Sequence, residues 1–178
     1  MPIPTPSVDA LRDSLPDELK DIRLNLSTVL AGEHLEPSEA VGVALAAARF
    51  VRCGRLVTAL ESDARAGLGE AAGPVLSDAV AAAGLMAMNT VYYRFRHMLG
   101  KESYEARPPR LRMSRLGQPA TTKAGFELMS LGCAALAGCE LCIRNHESSL
   151  LRLGTGEEAC HDAVRIAAVV NAAACGLG

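Results

Sequence analysis

Two thiols and an imidazole fall within eight residues at Cys139-Glu140-Leu141-Cys142-Ile143-Arg144-Asn145-His146, in a segment patterned as a helix. Helical neighbours lie three, four and seven positions apart, so Cys139, Cys142 and His146 share one face, with His146 one turn beyond Cys142. A base can therefore reach a thiol. Gly138 is a natural break that puts the cysteine pair in the first turn, where unpaired backbone N–H groups and the macrodipole stabilise a thiolate by ~0.3–1 kcal/mol. CxxC cysteines in that setting can titrate well below the free value of ~8.5, which lets the pair exchange between dithiol and disulfide. Attack on a peroxide oxygen would leave a sulfenic acid on one cysteine, and a second thiol three residues away can trap it. His146, four positions beyond Cys142, is suited to taking the thiol proton.

An imidazole in that role needs an orienting partner, and Glu127 is the candidate, because Phe126, Leu128 and Leu131 mark its helix as partly buried. A carboxylate on an apolar helix face is costly unless it meets a hydrogen-bonding partner. Most Glu side chains are solvated, however, and residue type alone favours that reading. A zinc site is the rival to redox chemistry: Cys139, Cys142 and His146 would give three ligands, with Glu127, His161 or Cys160 as a fourth. Structural zinc sites usually pair two CxxC-like knuckles and this chain has one, which favours redox. The remaining cysteines, Cys53, Cys133, Cys160 and Cys175, sit among Ala, Leu and Val and read as small buried apolar groups. His34, His97 and His161 have no partner visible in the sequence, and Met86, Met88, Met98 and Met129 read as core filler.

The elements that must position these residues are helices cut by Pro and Gly. Ser7 can cap a short helix to about Leu15, and Ser14 before Pro16 starts another, with Leu19, Ile22, Arg23 and Leu26 at helical spacing. Further helices fit about 36–52, 54–67, 74–98, 121–137, 139–153 and 156–175, while Lys101 to Pro119 reads as a long ordered loop. Thr155 to Glu158 has capping-box spacing, and Gly154 suits the end of the preceding helix. No segment alternates with period two for long enough to be a strand. A shift of 86 sets Cys53 on Cys139, Glu61-Ser62 on Glu147-Ser148 and Leu45 on Leu131, and a shift of 84 sets Asp78-Ala79-Val80 on Asp162-Ala163-Val164. An internal repeat of that kind would leave Leu56 and Leu60 where the second copy has Cys142 and His146, so that one half carries the chemistry.

At 178 residues the chain suits one domain, spanning 1–178. Hydrophobic residues make up 49% and aromatics 3%, so a core of Ala, Leu and Val at close helix-to-helix approach is expected, which suits an all-α bundle. The net charge of −2, with basic and acidic residues interleaved, argues against nucleic acid as a partner. Met1 to Pro6 has neither a positive n-region nor an apolar h-region, and the longest uncharged run, Ala79 to Tyr93, falls short of the ~20 residues that span a bilayer. No membrane partner and a cytoplasmic location are therefore expected. In such a reducing compartment a CxxC pair is more often catalytic or metal-binding than structural.

Phe126-Glu127-Leu128, then eleven residues on Cys139-x-x-Cys142-x-x-x-His146-Glu147, resembles the active-site signature of the alkyl hydroperoxidase D (AhpD) family, within the carboxymuconolactone decarboxylase-like superfamily. Leu11 to Leu30 (LRDSLPDELKDIRLNLSTVL), Gly84 to Arg96 (GLMAMNTVYYRFR) and Leu111-Arg112-Met113 to Pro119 also resemble family segments, so the resemblance covers most of the chain. It implies an all-α fold of two related helical halves and a homotrimer. It further implies a thiol-dependent hydroperoxide reductase with no tightly bound cofactor. Dihydrolipoamide on a lipoylated acyltransferase would reduce it, and it could regenerate the peroxiredoxin AhpC. By the same resemblance Cys142 attacks the hydroperoxide, Cys139 resolves the sulfenic acid and donates a proton, and Glu127 and His146 form a proton relay. The chain departs from the pattern at Leu141, where family members often carry His. Two other classes stand beside this one: a non-redox, decarboxylase-like enzyme of the superfamily, against which the CxxC argues because decarboxylation needs no dithiol, and a zinc-stabilised binding module.

Overall fold

The computed structural model describes Met1 to Leu177, and among these residues every regular element is helical. The order is α1 (Pro6–Asp13), α2 (Lys20–Val29), α3 (Pro37–Phe50), α4 (Gly54–Leu68), α5 (Ala72–Leu99), α6 (Glu102–Glu105), α7 (Lys123–Leu136), α8 (Glu140–Arg152) and α9 (Glu157–Leu177), with short 3₁₀ turns between some of them. The all-α expectation therefore holds. α3 and α7 are buried on every side, from Ala40 to Ala48 and from Gly125 to Ala134, the pattern of helices at the centre of a bundle. Each packs on the other and on α5 and α9, while α4 covers α3 and α8 covers α7. Small residues permit this approach: a β-carbon on Gly42 would run into the Met129 methyl group.

The repeat is written into the backbone. α3 and α7 begin and end 86 residues apart, and α4 and α8 begin 86 apart. The turns between them match bond for bond: Cys53 N–H donates to Ala48 O at 3.0 Å and Cys139 N–H to Ala134 O at 3.2 Å, while Val57 N–H reaches Cys53 O at 3.1 Å and Ile143 N–H reaches Cys139 O at 2.9 Å. Arg52 at φ 60° and Gly138 at φ 62° hold the same left-handed conformation, which costs a non-glycine residue about 1 kcal/mol.

The third helices carry a matching device. Asp78 of α5, fully buried, accepts from Ala120 N–H at 2.9 Å, Thr121 N–H and Thr121 Oγ1 at 2.7 Å each, and Arg115 Nη2 at 2.7 Å, and so pins the chain entering α7. Asp162 of α9 accepts from His34 N–H and faces His34 Nδ1, both at 3.2 Å, and so pins the chain entering α3. A shift of 86 sets His34 on Ala120. Each half thus fixes the entrance to the other.

Several expectations need correction. Ser7 does not cap α1; the helix starts at Pro6, and Ser7 and Val8 donate their N–H groups to Asp63 of α4 at 3.0 and 2.9 Å, a long-range carboxylate doing the work of a local cap. The segment 101–119 holds α6 and a 3₁₀ turn at Ser114–Gly117. Ser14 does not open a helix directly: after Pro16 a 3₁₀ turn at Asp17–Leu19 leads into α2. His34 has a partner, Asp162. Cys175 and Met98 are exposed, on helix faces that the bundle leaves uncovered. By length and hydropathy the stretches Gly54–Leu99 and Glu157–Leu177 are apolar enough to cross a bilayer; here Ala79, Ala82, Met86, Ile166 and Val170 within them are core residues.

Burial raises the Asp78 pKa, but the bonds from Ala120, Thr121 and Arg115 outweigh it and hold the carboxyl below its ordinary 3.8. Asp78 therefore contributes stability that is present above the unfolded value and lost as pH falls through the lower folded one. Asp78→Ala, which strands four donors, is expected to cost about 2–4 kcal/mol in urea unfolding at pH 7. An unchanged midpoint would remove Asp78 from the list of structural anchors.

Candidate functional site

The turn Ala137-Gly138-Cys139 reverses the chain between α7 and α8. Only glycine takes the left-handed Gly138 conformation without a side-chain penalty, and Cys139 follows as the residue capping α8. Cys142 is then the third residue of the helix, in the turn whose N–H groups lack intrahelical acceptors. Cys139 and Cys142 are joined as a disulfide with Cα atoms 5.3 Å apart, packed with Ala134 and flanked by Ala137 and Ile143. Cys139 is wholly buried, whereas Cys142 keeps 7% of its surface exposed. Of the two sulfurs' residues, Cys142 is the one nearer solvent.

His146 follows one turn later and its ring is mostly buried. Its Nδ1 lies 2.5 Å from Glu127 Oε2, so the bond to an ionised carboxylate assigns the proton to Nδ1 and leaves Nε2 as the free nitrogen. Glu127 is buried, not solvated as residue type alone favours. Its other oxygen, Oε1, pairs with Lys123 Nζ at 2.8 Å, and the same ammonium donates to Leu116 O at 2.6 Å. Burial raises the Glu127 pKa, but the bonds and charges of His146 and Lys123 outweigh it and hold it at about 2. The carboxylate is therefore ionised at neutral pH and orients an imidazole that can accept a proton at Nε2.

Lys123 is a residue that the sequence reading missed, although its spacing of four from Glu127 on one helix was a legible signal. Thr122 starts α7 by accepting from Gly125 N–H at 3.0 Å, and Asp78 fixes the two residues before it, so the position of Lys123 is set from both sides. Arg94 of α5 was missed as well. Its guanidinium donates to Ala137 O, clamping the turn before Cys139 from a helix far away in sequence, for which no local pattern exists.

The other thiols differ in kind. Burial pushes the Cys133 thiol up to about 12, and burial followed by the Glu147 carboxylate raises that of Cys160. Cys53 has the backbone of Cys139 but is followed by Leu56 and Leu60 at the positions of the second cysteine and the histidine. Of the residues weighed as a fourth zinc ligand, Glu127 bonds His146 instead, and among the described residues no three Cys, His, Asp or Glu side chains converge as metal ligands.

Comparison with known proteins finds relatives along nearly the whole chain. The chain is 54% identical over 171 residues to an alkyl hydroperoxide reductase AhpD of Anaeromyxobacter sp. (strain Fw109-5), covering 96% of this chain and 90% of that protein. It is 45% identical over 171 residues to one of Methylobacterium sp. (strain 4-46), covering 96% of each, and 42% identical over 168 residues to one of Rhodopseudomonas palustris (strain BisB18), covering 94% and 91%. No family model matches the chain.

With a folded pKa of about 2 against an ordinary 4.5, Glu127 contributes stability that is complete above pH 4.5 and lost as pH falls toward 2. Removing Lys123 should raise the folded value. In Lys123→Met the Glu127 carboxyl resonance should titrate at a higher pH than in the parent protein, and Lys123→Arg should restore the low value. Identical carboxyl titrations by NMR in all three proteins would show that Lys123 has no hold on Glu127.

Proposed function

The chain belongs to the alkyl hydroperoxide reductase AhpD family, and from that membership we propose that it reduces organic hydroperoxides with the Cys139–Cys142 pair. The observation that carries the proposal is the coincidence of a dithiol at a helix start with a histidine held by a buried, ionised carboxylate.

In the reduced protein His146 Nε2 takes the proton of Cys142, and the thiolate attacks the outer oxygen of ROOH. The O–O bond breaks, Cys142 becomes the sulfenic acid, and the alkoxide leaves as ROH with the proton of Cys139. The Cys139 thiolate then attacks the Cys142 sulfur, the S–S bond forms, and the departing hydroxide takes the proton from His146 as water. Two thiols and ROOH have become a disulfide, ROH and water. Dihydrolipoamide on a lipoylated acyltransferase returns the two electrons and two protons and is itself closed to a disulfide. The same dithiol, instead of meeting ROOH, reduces the disulfide of the peroxiredoxin AhpC. The Leu141 side chain offers no hydrogen bond where the family often has His, so proton traffic falls to Cys139, Glu127 and His146.

The proposed setting is the cytoplasm and the proposed assembly a homotrimer. Phe95, Met98, Leu99 and Tyr104 are exposed together at the end of α5 and on α6, an apolar face better covered than solvated. The CxxC bond closes only a short loop, so reducing it should not release the trimer. Light scattering that found the reduced protein monomeric at micromolar concentration would exclude this assembly.

The deciding experiment follows dihydrolipoamide-dependent hydroperoxide consumption with and without AhpC; turnover is expected in both, and none in either would reject the proposal. Cys142→Ser should abolish consumption, and Cys139→Ser should leave a sulfenic acid that trapping reagents label. A positioned base contributes ~10²–10⁴-fold, more than the helix terminus supplies. Glu127→Gln and His146→Gln should each slow turnover within that range, and the double variant should lose much less than their product. Multiplying losses would show that the two residues act separately.

A further inference from the structure

A cleft of about 480 Å³ lies between the end of α3 and the outer face of α5, away from Glu127 and His146. Three of its residues are arginines, Arg49, Arg52 and Arg94, and its apolar wall is made by Val80, Ala87 and Val91. Ala137 closes one side, and the same Ala137 packs against the Cys139–Cys142 pair. The cleft and the cysteines are therefore neighbours across one residue.

Two of the three charges in this cleft are uncompensated. Arg49 pairs through Nη2 with Glu61, but its buried Nε has no acceptor among the described residues. Arg94 spends one N–H on a carbonyl, and neither it nor Arg52 has a carboxylate at ion-pair distance among the described residues. Arg52 carries a further mark. It occupies the left-handed position that the second half fills with Gly138, so a bulky cation is kept at a site where glycine would sit without strain. A strained, exposed cation in the lining of a cleft is a reason to look for a ligand of opposite charge.

We propose that this cleft binds an amphiphile with an anionic head and an alkyl chain, the carboxylate on Arg52 and Arg94 and the chain along Val80, Ala87 and Val91, so that hydroperoxides bearing a carboxylate are the preferred substrate class. Guanidinium groups match carboxylates as planar two-donor partners, and the apolar wall gives the chain a surface to cover. The substrate half of this proposal rests on the hydroperoxide chemistry proposed above; the binding half does not.

The test is direct binding of decanoate, decanol and decyl phosphate to the intact oxidised protein by calorimetry. Decanoate is expected to bind about tenfold or more tighter than decanol, the scale of one charge-assisted contact. Decyl phosphate should bind no tighter than decanoate; a clear preference for it would assign the head to a phosphate and overturn the carboxylate class. Arg52→Gly relieves the backbone strain and so should fold at least as well as the parent, yet should lose the preference for decanoate over decanol. If the preference survives Arg52→Gly, or was never present, the cleft is not the site. In turnover, Arg52→Gly should raise KM for a carboxylate-bearing hydroperoxide about tenfold and leave that for cumene hydroperoxide unchanged; equal effects on both would overturn the substrate class. Decanoate binding without consumption of either hydroperoxide would uphold the cleft and reject the reductase, and the opposite pattern would do the reverse.

Discussion

A carboxylate with no access to water must find its donors inside the protein, and Asp78 finds four of them on the chain that leads into α7. That requirement orders much else. With Ala120 and Thr121 held to α5, Thr122 is in place to start α7, Lys123 becomes its first residue, and Glu127 follows one turn later on the side that meets α8. Loss of the Asp78 bonds would leave the apolar contacts of α7 in place but free its first turn, and with it the ammonium that faces Glu127. Local geometry at the site is thus set by an interaction two helices away. The reciprocal pair, Asp162 on His34, differs in one respect: the imidazole is half exposed, so that anchor is more open to solvent than the one behind the site.

The electrostatics of the pair Glu127 and His146 follow from where the cations stand. Burial alone would drive the carboxyl toward its neutral form, and a neutral Glu127 donating to Nδ1 would leave the ring proton on Nε2, where it could not accept one from a thiol. Lys123 on one oxygen and His146 on the other reverse that tendency, so the group is buried and still charged. Because Lys123 also holds Leu116 O, the ammonium joins the loop before α7 to the carboxylate. The contrast with Cys133 is instructive. That thiol is equally deep in α7 but has no donor or cation beside it, and burial acts unopposed. Depth does not decide whether a group is ionised; the partners that accompany it do.

What could be read from the sequence is what depends on spacing along one helix. The face shared by Cys142 and His146, the break at Gly138 and the limits of α3, α4, α7 and α8 are local properties, and the structure places them within two or three residues of expectation. The repeat was legible at Cys53, Cys139, Asp78 and Asp162 for a physical reason: those positions carry backbone or buried-carboxylate roles that few residues can fill. What stayed hidden was pairing between distant segments. Nothing near Ser7 announces Asp63, nothing near His34 announces Asp162, and the burial of Glu127 is decided by α8 rather than by its own helix. Cys175 and Met98 were read as core because they lie among apolar residues, but the uncovered face of a long helix has the same composition as its buried one.

The two halves also show how one backbone supports two chemistries. Residues 51–53 and 137–139 trace the same turn with the same hydrogen bonds, so the fold leaves the choice of side chain open. In the second half the turn takes glycine, the helix after it carries Cys142 and His146 where the first has Leu56 and Leu60, and the result is a redox pair with a base beside it. In the first half the turn takes Arg52, the helix buries two leucines, and the result is a cation in the lining of a cleft. Because α3 and α7 pack against each other, the two turns are fixed relative to one another by the core. The two turns are thus held apart by rigid helices and not by loops.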